Sequence, residues 1–269
     1  MKINKNNNKN NNKNNNKINI NKKRYVTIAF IMSIISKETT QRLLKDVKHI
    51  IKNPITENGI FYIHDDTDML KGYALIIGPS DTPYFSGNYF FEITYPCNYP
   101  HNPPKVKYCT NGNNIRFNPN LYKCGKVCVS LLNTWKGEQW TSCQTISTVL
   151  LTLCTLLCEN PLLNEPGVSR NHSDMKKYNE IIEYANLDVA VCDILCKKQG
   201  VYLDFFDNFY PFVKDNFIRT VDKLIEFVEQ KKALIDPKVV STSFYTMNVE
   251  INYSKLLEKM MLTKNTICV

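Results

Sequence analysis

Between Gly59 and Cys109 four short apolar stretches alternate with clusters of turn-forming residues: GIFYIH (59–64), GYALIIG (72–78), YFFEITY (89–95) and KVKYC (105–109). Asp65-Asp66-Thr67-Asp68 and Gly78-Pro79-Ser80-Asp81-Thr82-Pro83 hold the residues that favour tight reversals. Each stretch has strand length and is rich in β-branched or aromatic side chains. The linkers are too short for the crossover helix that parallel neighbours need. The pattern therefore predicts a four-stranded antiparallel meander. The third linker, YPCNYPHNPP (95–104), is too rich in proline for a helix or a central strand and reads as an extended surface loop.

Such a sheet must cover an apolar face, and the flanking sequence supplies helices. SKETTQRLLKDVKHIIKN (36–53) places Leu43, Leu44, Val47, Ile50 and Ile51 at helical spacing, with Ser36 or Thr39 as a cap and Pro54 as a stop. TSCQTISTVLLTLCTLLCEN (141–160) is a more apolar helix that ends at Pro161. Residues 173–199 and 204–232 carry further helical patterns, 239–253 reads as a strand or as disordered chain, and SKLLEKMMLTKN as a last short helix. The expected fold class is α+β: an N-terminal helix, the meander, an irregular loop and C-terminal helices. We divide the chain into a tail (1–31), a core domain (36–200) and a mostly helical extension (201–269).

Charge is more informative by location than in total. Residues 1–24 hold eight basic side chains and no acid, so the remainder carries only about +1 of the net +9. A nearly neutral body argues against a fold that binds nucleic acid through a basic face. The Lys/Asn tract has little to bury and is expected to be disordered. It is either an electrostatic arm for RNA or anionic membrane, or a repeat accumulated in an AT-rich gene. YVTIAFIMSII (25–35) follows Lys22-Lys23-Arg24 as in a secretory leader, yet no small-x-small cleavage site follows. Its 11 residues are too few to span a bilayer, and Met32 is an alternative start.

Ten cysteines are spread along the chain. Cys124/Cys128, Cys154/Cys158 and Cys192/Cys196 have i, i+4 spacing rather than the CxxC of zinc knuckles, and the last two pairs lie in helical apolar patterns. No metal and no cofactor are expected, and a reducing cytoplasmic or nuclear compartment fits best. NPNLYKCGKVCVSLLNTW (118–135) remains the unusual stretch, with Cys128 followed at once by an apolar run.

The order helix, meander, YPxxPP loop, Asn118-Pro119-Asn120, Gly125, Val127-Cys128-Val129, Leu132 and Trp140 resembles the ubiquitin-conjugating enzyme family. The resemblance implies the fold of that family, with Cys128 carrying the modifier as a thioester and Asn120 in the catalytic loop. Asn118 replaces the family's usual histidine. The insertion in LLNTWKGEQW and the ENPLLNEPG segment after the helix are similar to the Z-type branch and to the conjugating domain of the giant inhibitor-of-apoptosis ligase. YNEIIEYANLDVAVCDIL (178–195) looks like the Z type specifically. The resemblance runs from about residue 36 to about residue 235.

It further implies partners: ubiquitin or a ubiquitin-like modifier, an activating enzyme, a ligase and protein substrates, with no membrane. No ATP-binding loop is visible, so activation must come from another enzyme. Tyr99, Pro100, His101, Pro103, Pro104 and Trp140 lie in segments that face partners in the family, although His101 stands where short members often present a phenylalanine. Thr141-Ser142-Cys143 departs from the usual Ser-Pro-Ala there. Asn120 is either an oxyanion donor or a loop brace. Glu165 aligns with the acidic gate that orients the acceptor lysine, and is otherwise an ordinary loop acid. Cys124 is a loop thiol or half of an inhibitory disulfide, and Trp135 a partner anchor or a cover over the rim of the site. A non-catalytic binding module of the same fold, a zinc or thiol-redox protein and a cysteine protease are the rival readings; the last needs a histidine beside Cys128.

Overall fold

The computed structural model describes residues 35–234 and 236–268. The Lys/Asn tract and the apolar segment around residue 30 lie outside the described residues. Helix α1 spans Lys37–Lys52; Ser36 caps it, its hydroxyl accepting from the Thr39 amide at 3.0 Å. Leu43, Val47 and Ile50 turn inward, whereas Leu44 and Ile51 of the same pattern stay exposed. The strands are β1 (Ile60–His64), β2 (Lys71–Ile77), β3 (Asn88–Thr94) and β4 (Lys105–Tyr108), paired antiparallel in sequence order. The meander and the α+β class are as the sequence predicts. Helix α2 (Ile146–Thr155), capped by Thr145, packs against α1 and β1.

The sheet is covered on both faces. Tyr89 meets Tyr84 and Phe117 edge-on, and Phe91 meets Tyr108, on the inner side. On the outer side Phe206 stacks on Phe90 at 3.7 Å, Phe205 on Tyr73 and Phe212 on Phe61. Phe205 and Phe206 come from a 3₁₀ segment (Asp204–Phe209), and Phe212 from helix α4 (Tyr210–Leu234). This explains why Tyr89, Phe90 and Phe91 are all buried: a strand covered on both faces loses the polar half of its alternation.

Before that segment comes α3 (Met175–Ala185), prolonged by a wide π-helical stretch (Asn186–Asp193). Asn186 accepts from Tyr89 Oη at 2.7 Å and donates to the Phe85 carbonyl. A Cβ at Gly87 would lie 1.8 Å from the Asn186 amide oxygen, so this approach requires glycine. After α4 the chain forms a hairpin, β5 (Lys238–Ser241) with β6 (Asn248–Ile251), and ends in α5 (Tyr253–Ile267). The stretch read as strand or disordered chain is thus an ordered hairpin. Helix α5 packs on α4 and reaches back through Lys259 to Asp188 and Asp193. One continuous apolar cluster joins Leu43 and Phe91 to Val228 and Met260, so the extension shares the core of the preceding domain.

Candidate active site

Everything around Cys128 is built from short hydrogen bonds in an irregular loop. Asn118 is fully buried. Its amide donates to Tyr84 Oη at 3.1 Å and to the Leu156 carbonyl at 2.8 Å, and its oxygen accepts from the Asn120 amide at 2.9 Å. Arg116 is also buried; Nε donates to the Asn118 carbonyl and Nη2 to the Pro119 carbonyl. Its guanidinium stacks on Tyr122 at 3.4 Å. Gly125 has φ 90° and sits so close to β4 that a Cβ would fall 2.9 Å from Lys107 Cγ. An L side chain there would be strained twice over.

Asn120 grips Cys128 from both sides. The Cys128 amide donates to the Asn120 carbonyl at 2.9 Å, and Asn120 Nδ2 donates to the Cys128 carbonyl at 2.5 Å. The Asn120 side-chain oxygen is buried without a partner. Val127 and Val129 are buried on either side, and Cys128 itself is 3% exposed. Cys124 is exposed, and all ten cysteines are free thiols. Burial pushes Cys109 up to about 11 and Cys192 up to about 12, which keeps both protonated at neutral pH. None of the four histidines touches Cys128: His49 meets Asn53, His64 meets Tyr62, His101 meets Glu38, and His172 faces Asp174 and Phe244.

The insertion after Cys128 forms one wall of a cleft of about 870 Å³, lined by Asn133, Thr134, Trp135, Lys136, Gln139, Glu165 and Pro166. Trp135 stands 47% exposed at its edge. Glu165 follows a 3₁₀ turn (Pro161–Asn164) and accepts from Tyr245 Oη at 2.5 Å. Among the described residues no cation pairs with it.

Four of the six residues expected to face partners have little exposed surface of their own. Tyr99, Pro100, Pro104 and Trp140 are buried. Tyr99 Oη donates to Asp46 at 2.5 Å and Trp140 Nε1 to the Pro100 carbonyl at 2.6 Å, so Tyr99, Pro100 and Trp140 brace the proline loop, and Pro104 lines a pocket beside Pro103. His101 is exposed and Pro103 half-buried. Two residues that sequence reasoning passed over belong here: Arg116, a cation in a turn-rich loop, and Tyr245, from beyond the family resemblance.

A model of the ubiquitin-conjugating enzyme family matches residues 42–188, more than half of the chain. The chain belongs to the ubiquitin-conjugating enzyme family. It is 40% identical over 196 residues to ubiquitin-conjugating enzyme E2 Z of Xenopus tropicalis, covering 68% of this chain and 62% of the relative. The human E2 Z is 44% identical over 181 residues, 64% of this chain and 51% of the relative. The dual E2 ubiquitin-conjugating enzyme/E3 ubiquitin-protein ligase BIRC6 of Homo sapiens is 35% identical over 174 residues, 57% of this chain and 4% of that protein. The chain thus spans between about half and two thirds of the E2 Z relatives it matches. The irregular loop and the cleft lie within the matched span, whereas the residues that cover the outer face of the sheet and the β5–β6 hairpin lie beyond residue 188.

Proposed function

We propose that this chain is a ubiquitin-conjugating transferase in which Cys128 accepts ubiquitin, or a ubiquitin-like modifier, from an activating enzyme and passes it to a lysine amine or to a ligase. The observation that carries the reading is the two-sided grip of Asn120 on the Cys128 peptide, which fixes a single thiol between two buried valines. In charging, the Cys128 thiolate attacks the carbonyl of the activating enzyme's thioester. A new C–S bond forms, the old one breaks and the other thiolate leaves. Sulfur replaces sulfur, so the step needs an ordinary thiolate and no strong base. The slight exposure of Cys128 favours an acyl group delivered on a slim, extended chain.

In discharge, a neutral lysine amine attacks, the C–N bond forms and Cys128 leaves as thiolate. The amine proton passes to Glu165 or to solvent. A side-chain amide has two protons: Asn120 uses one to brace the Cys128 carbonyl and offers the other to the developing oxyanion. With the histidines engaged elsewhere, water is not activated and the thioester waits for the amine. The open cleft beside Glu165 is the approach for the acceptor.

The test is to incubate the protein with each activating enzyme, ubiquitin or ubiquitin-like modifier, and ATP, and to run gels with and without reductant. A reductant-sensitive adduct is expected. Cys128→Ser should give a slower, reductant-resistant oxyester, and Cys124→Ser should still charge. Loss of charging in Cys124→Ser alone overturns the assignment.

A further inference from the structure

The turn of the C-terminal hairpin is held in an unusual way. Asp174 occupies the N-cap position of α3, yet its carboxylate does not cap that helix. It accepts instead from the Ser243 amide at 2.8 Å, the Ser243 hydroxyl at 2.6 Å and the Phe244 amide at 3.0 Å. Thr242 closes the turn, its amide donating to the Met247 carbonyl and its hydroxyl to the Phe244 carbonyl. Within the turn, Tyr245 has φ 59° and Thr246 φ 48°. Neither is glycine, and each left-handed residue carries a conformational cost. Three bonds to a buried carboxylate offset that cost and fix where the Tyr245 ring goes.

It goes to the candidate active site. The ring faces the Arg116 guanidinium at 5.0 Å and lies 6.1 Å from the Tyr178 ring. Its hydroxyl donates to one carboxylate oxygen of Glu165. Arg116 donates from Nε and Nη2 to the Asn118 and Pro119 carbonyls and forms no ion pair with Glu165, so among the described residues Tyr245 is the side chain that holds the Glu165 carboxylate. A free glutamate side chain loses rotamer freedom when it is fixed. Restraint in advance removes that cost from the reacting state.

We propose that Tyr245 is a positioning residue for lysine discharge: it holds one oxygen of Glu165 so that the other is presented to the acceptor amine in the cleft. This rests on the reading of Glu165 given above. The C-terminal hairpin is then part of the active site, although it lies outside the matched family span. The groups that face this pair are Arg116 before the catalytic loop, Tyr122 within it, Tyr178 on α3 and Lys136 across the cleft. Burial, and then the hydrogen bond and charge of Glu165, push the Tyr245 phenol far above its ordinary value. The phenol therefore remains a donor through the whole range in which lysine titrates.

The experiment compares Glu165→Gln, Tyr245→Phe, Asp174→Asn and the Glu165→Gln/Tyr245→Phe pair in the full chain, first charged and then chased with free lysine. Phenylalanine keeps the ring against Arg116 and removes only the donor. Tyr245→Phe should slow discharge roughly 10- to 100-fold near pH 7, and the effect should fall on discharge, not on charging. The defect should shrink as pH approaches 10, where the amine deprotonates without help. The double variant should be no slower than Glu165→Gln, because both changes remove one function. Asp174→Asn, which contacts neither Glu165 nor the thiol, should give a weaker defect with the same pH profile.

If Glu165→Gln is impaired while Tyr245→Phe discharges normally, the proposal fails and the role of Glu165 stands. Multiplying defects, or equal losses of charging and discharge, would mean that Tyr245 serves only the fold. Faster discharge in Tyr245→Phe would mean that the bond withholds Glu165, and it overturns the proposal as well. Normal discharge in Glu165→Gln overturns the underlying reading of that carboxylate.

Discussion

Two tyrosine–carboxylate pairs with the same 2.5 Å hydrogen bond, Tyr99–Asp46 and Tyr245–Glu165, sit in very different surroundings. Asp46 is buried, and Arg42 Nε reaches both of its oxygens at 3.0 and 3.1 Å. The rest of that guanidinium donates to the Ser142 and Gln144 carbonyls. Every group in this knot has a partner, and it ties α1, the proline loop and the start of α2 together. The Tyr245 ring also faces an arginine, but Arg116 donates to the loop backbone and not to Glu165. Glu165 is left with one tyrosine and an open cleft. A carboxylate closed in by a cation is a fixture of the fold, whereas one held by a single neutral donor at a cleft keeps the capacity to act.

Truncation should separate the two pairs. Asp46→Ala leaves Arg42 and the Tyr99 hydroxyl without their acceptor, and breaking a pair of this kind costs about 3 kcal/mol. Glu165→Ala lies half-exposed beside solvent and should change stability by no more than about 0.5 kcal/mol. Urea unfolding of both variants gives the comparison. Equal losses would break it.

The same contrast recurs within the Asn-Pro-Asn triplet. Asn118 is a frame residue with all of its groups satisfied, and Asn120 has one buried oxygen without a partner. Asn120→Ala should leave charging largely intact and slow discharge to lysine by roughly 10²–10³-fold, the usual loss when an oxyanion donor is removed. A bracing role alone predicts a lower melting temperature with charging and discharge impaired together. Single-turnover discharge, alongside a thermal melt, distinguishes the two.

Much of this architecture was legible in the chain because local signals carry it. Turn clusters delimit the strands to within a residue or two, and Ser36 and Pro54 bound α1. Asn118, Asn120, Gly125 and Cys128 lie within one short loop whose hydrogen bonds are local, so their spacing survives as a motif. The cover on the outer face was not legible: Asp204–Phe209 looks like the start of a helix, and nothing in its period says that Phe206 stacks on Phe90. Nor did the proline-loop spacing reveal that Trp140 and Tyr99 point inward. Tyr245 meets Glu165 across 80 residues through a strained turn with no periodicity. Contacts of that kind leave no mark on a single sequence.

The smallest effect concerns what holds that turn in acid. Burial alone would raise the Asp174 carboxyl, but the hydrogen bonds from the Ser243 hydroxyl and from the Phe244 and Ser243 amides outweigh it, and the group titrates below its ordinary value. The folded protein therefore binds this proton less readily than the unfolded chain. The stability that Asp174 contributes is fully present above the unfolded carboxyl value, about 4, and fades as pH falls through the lowered folded value. Urea midpoints of the wild type and Asp174→Asn should differ at pH 7 and at pH 5, and should converge as pH drops toward 2. A gap that stays constant, or that widens in acid, would mean that the carboxylate charge is not what anchors the turn. Because this titration is complete well below neutrality, it cannot distort the discharge profile between pH 7 and pH 10. Over that range the anchor is constant, and the slope follows the acceptor amine.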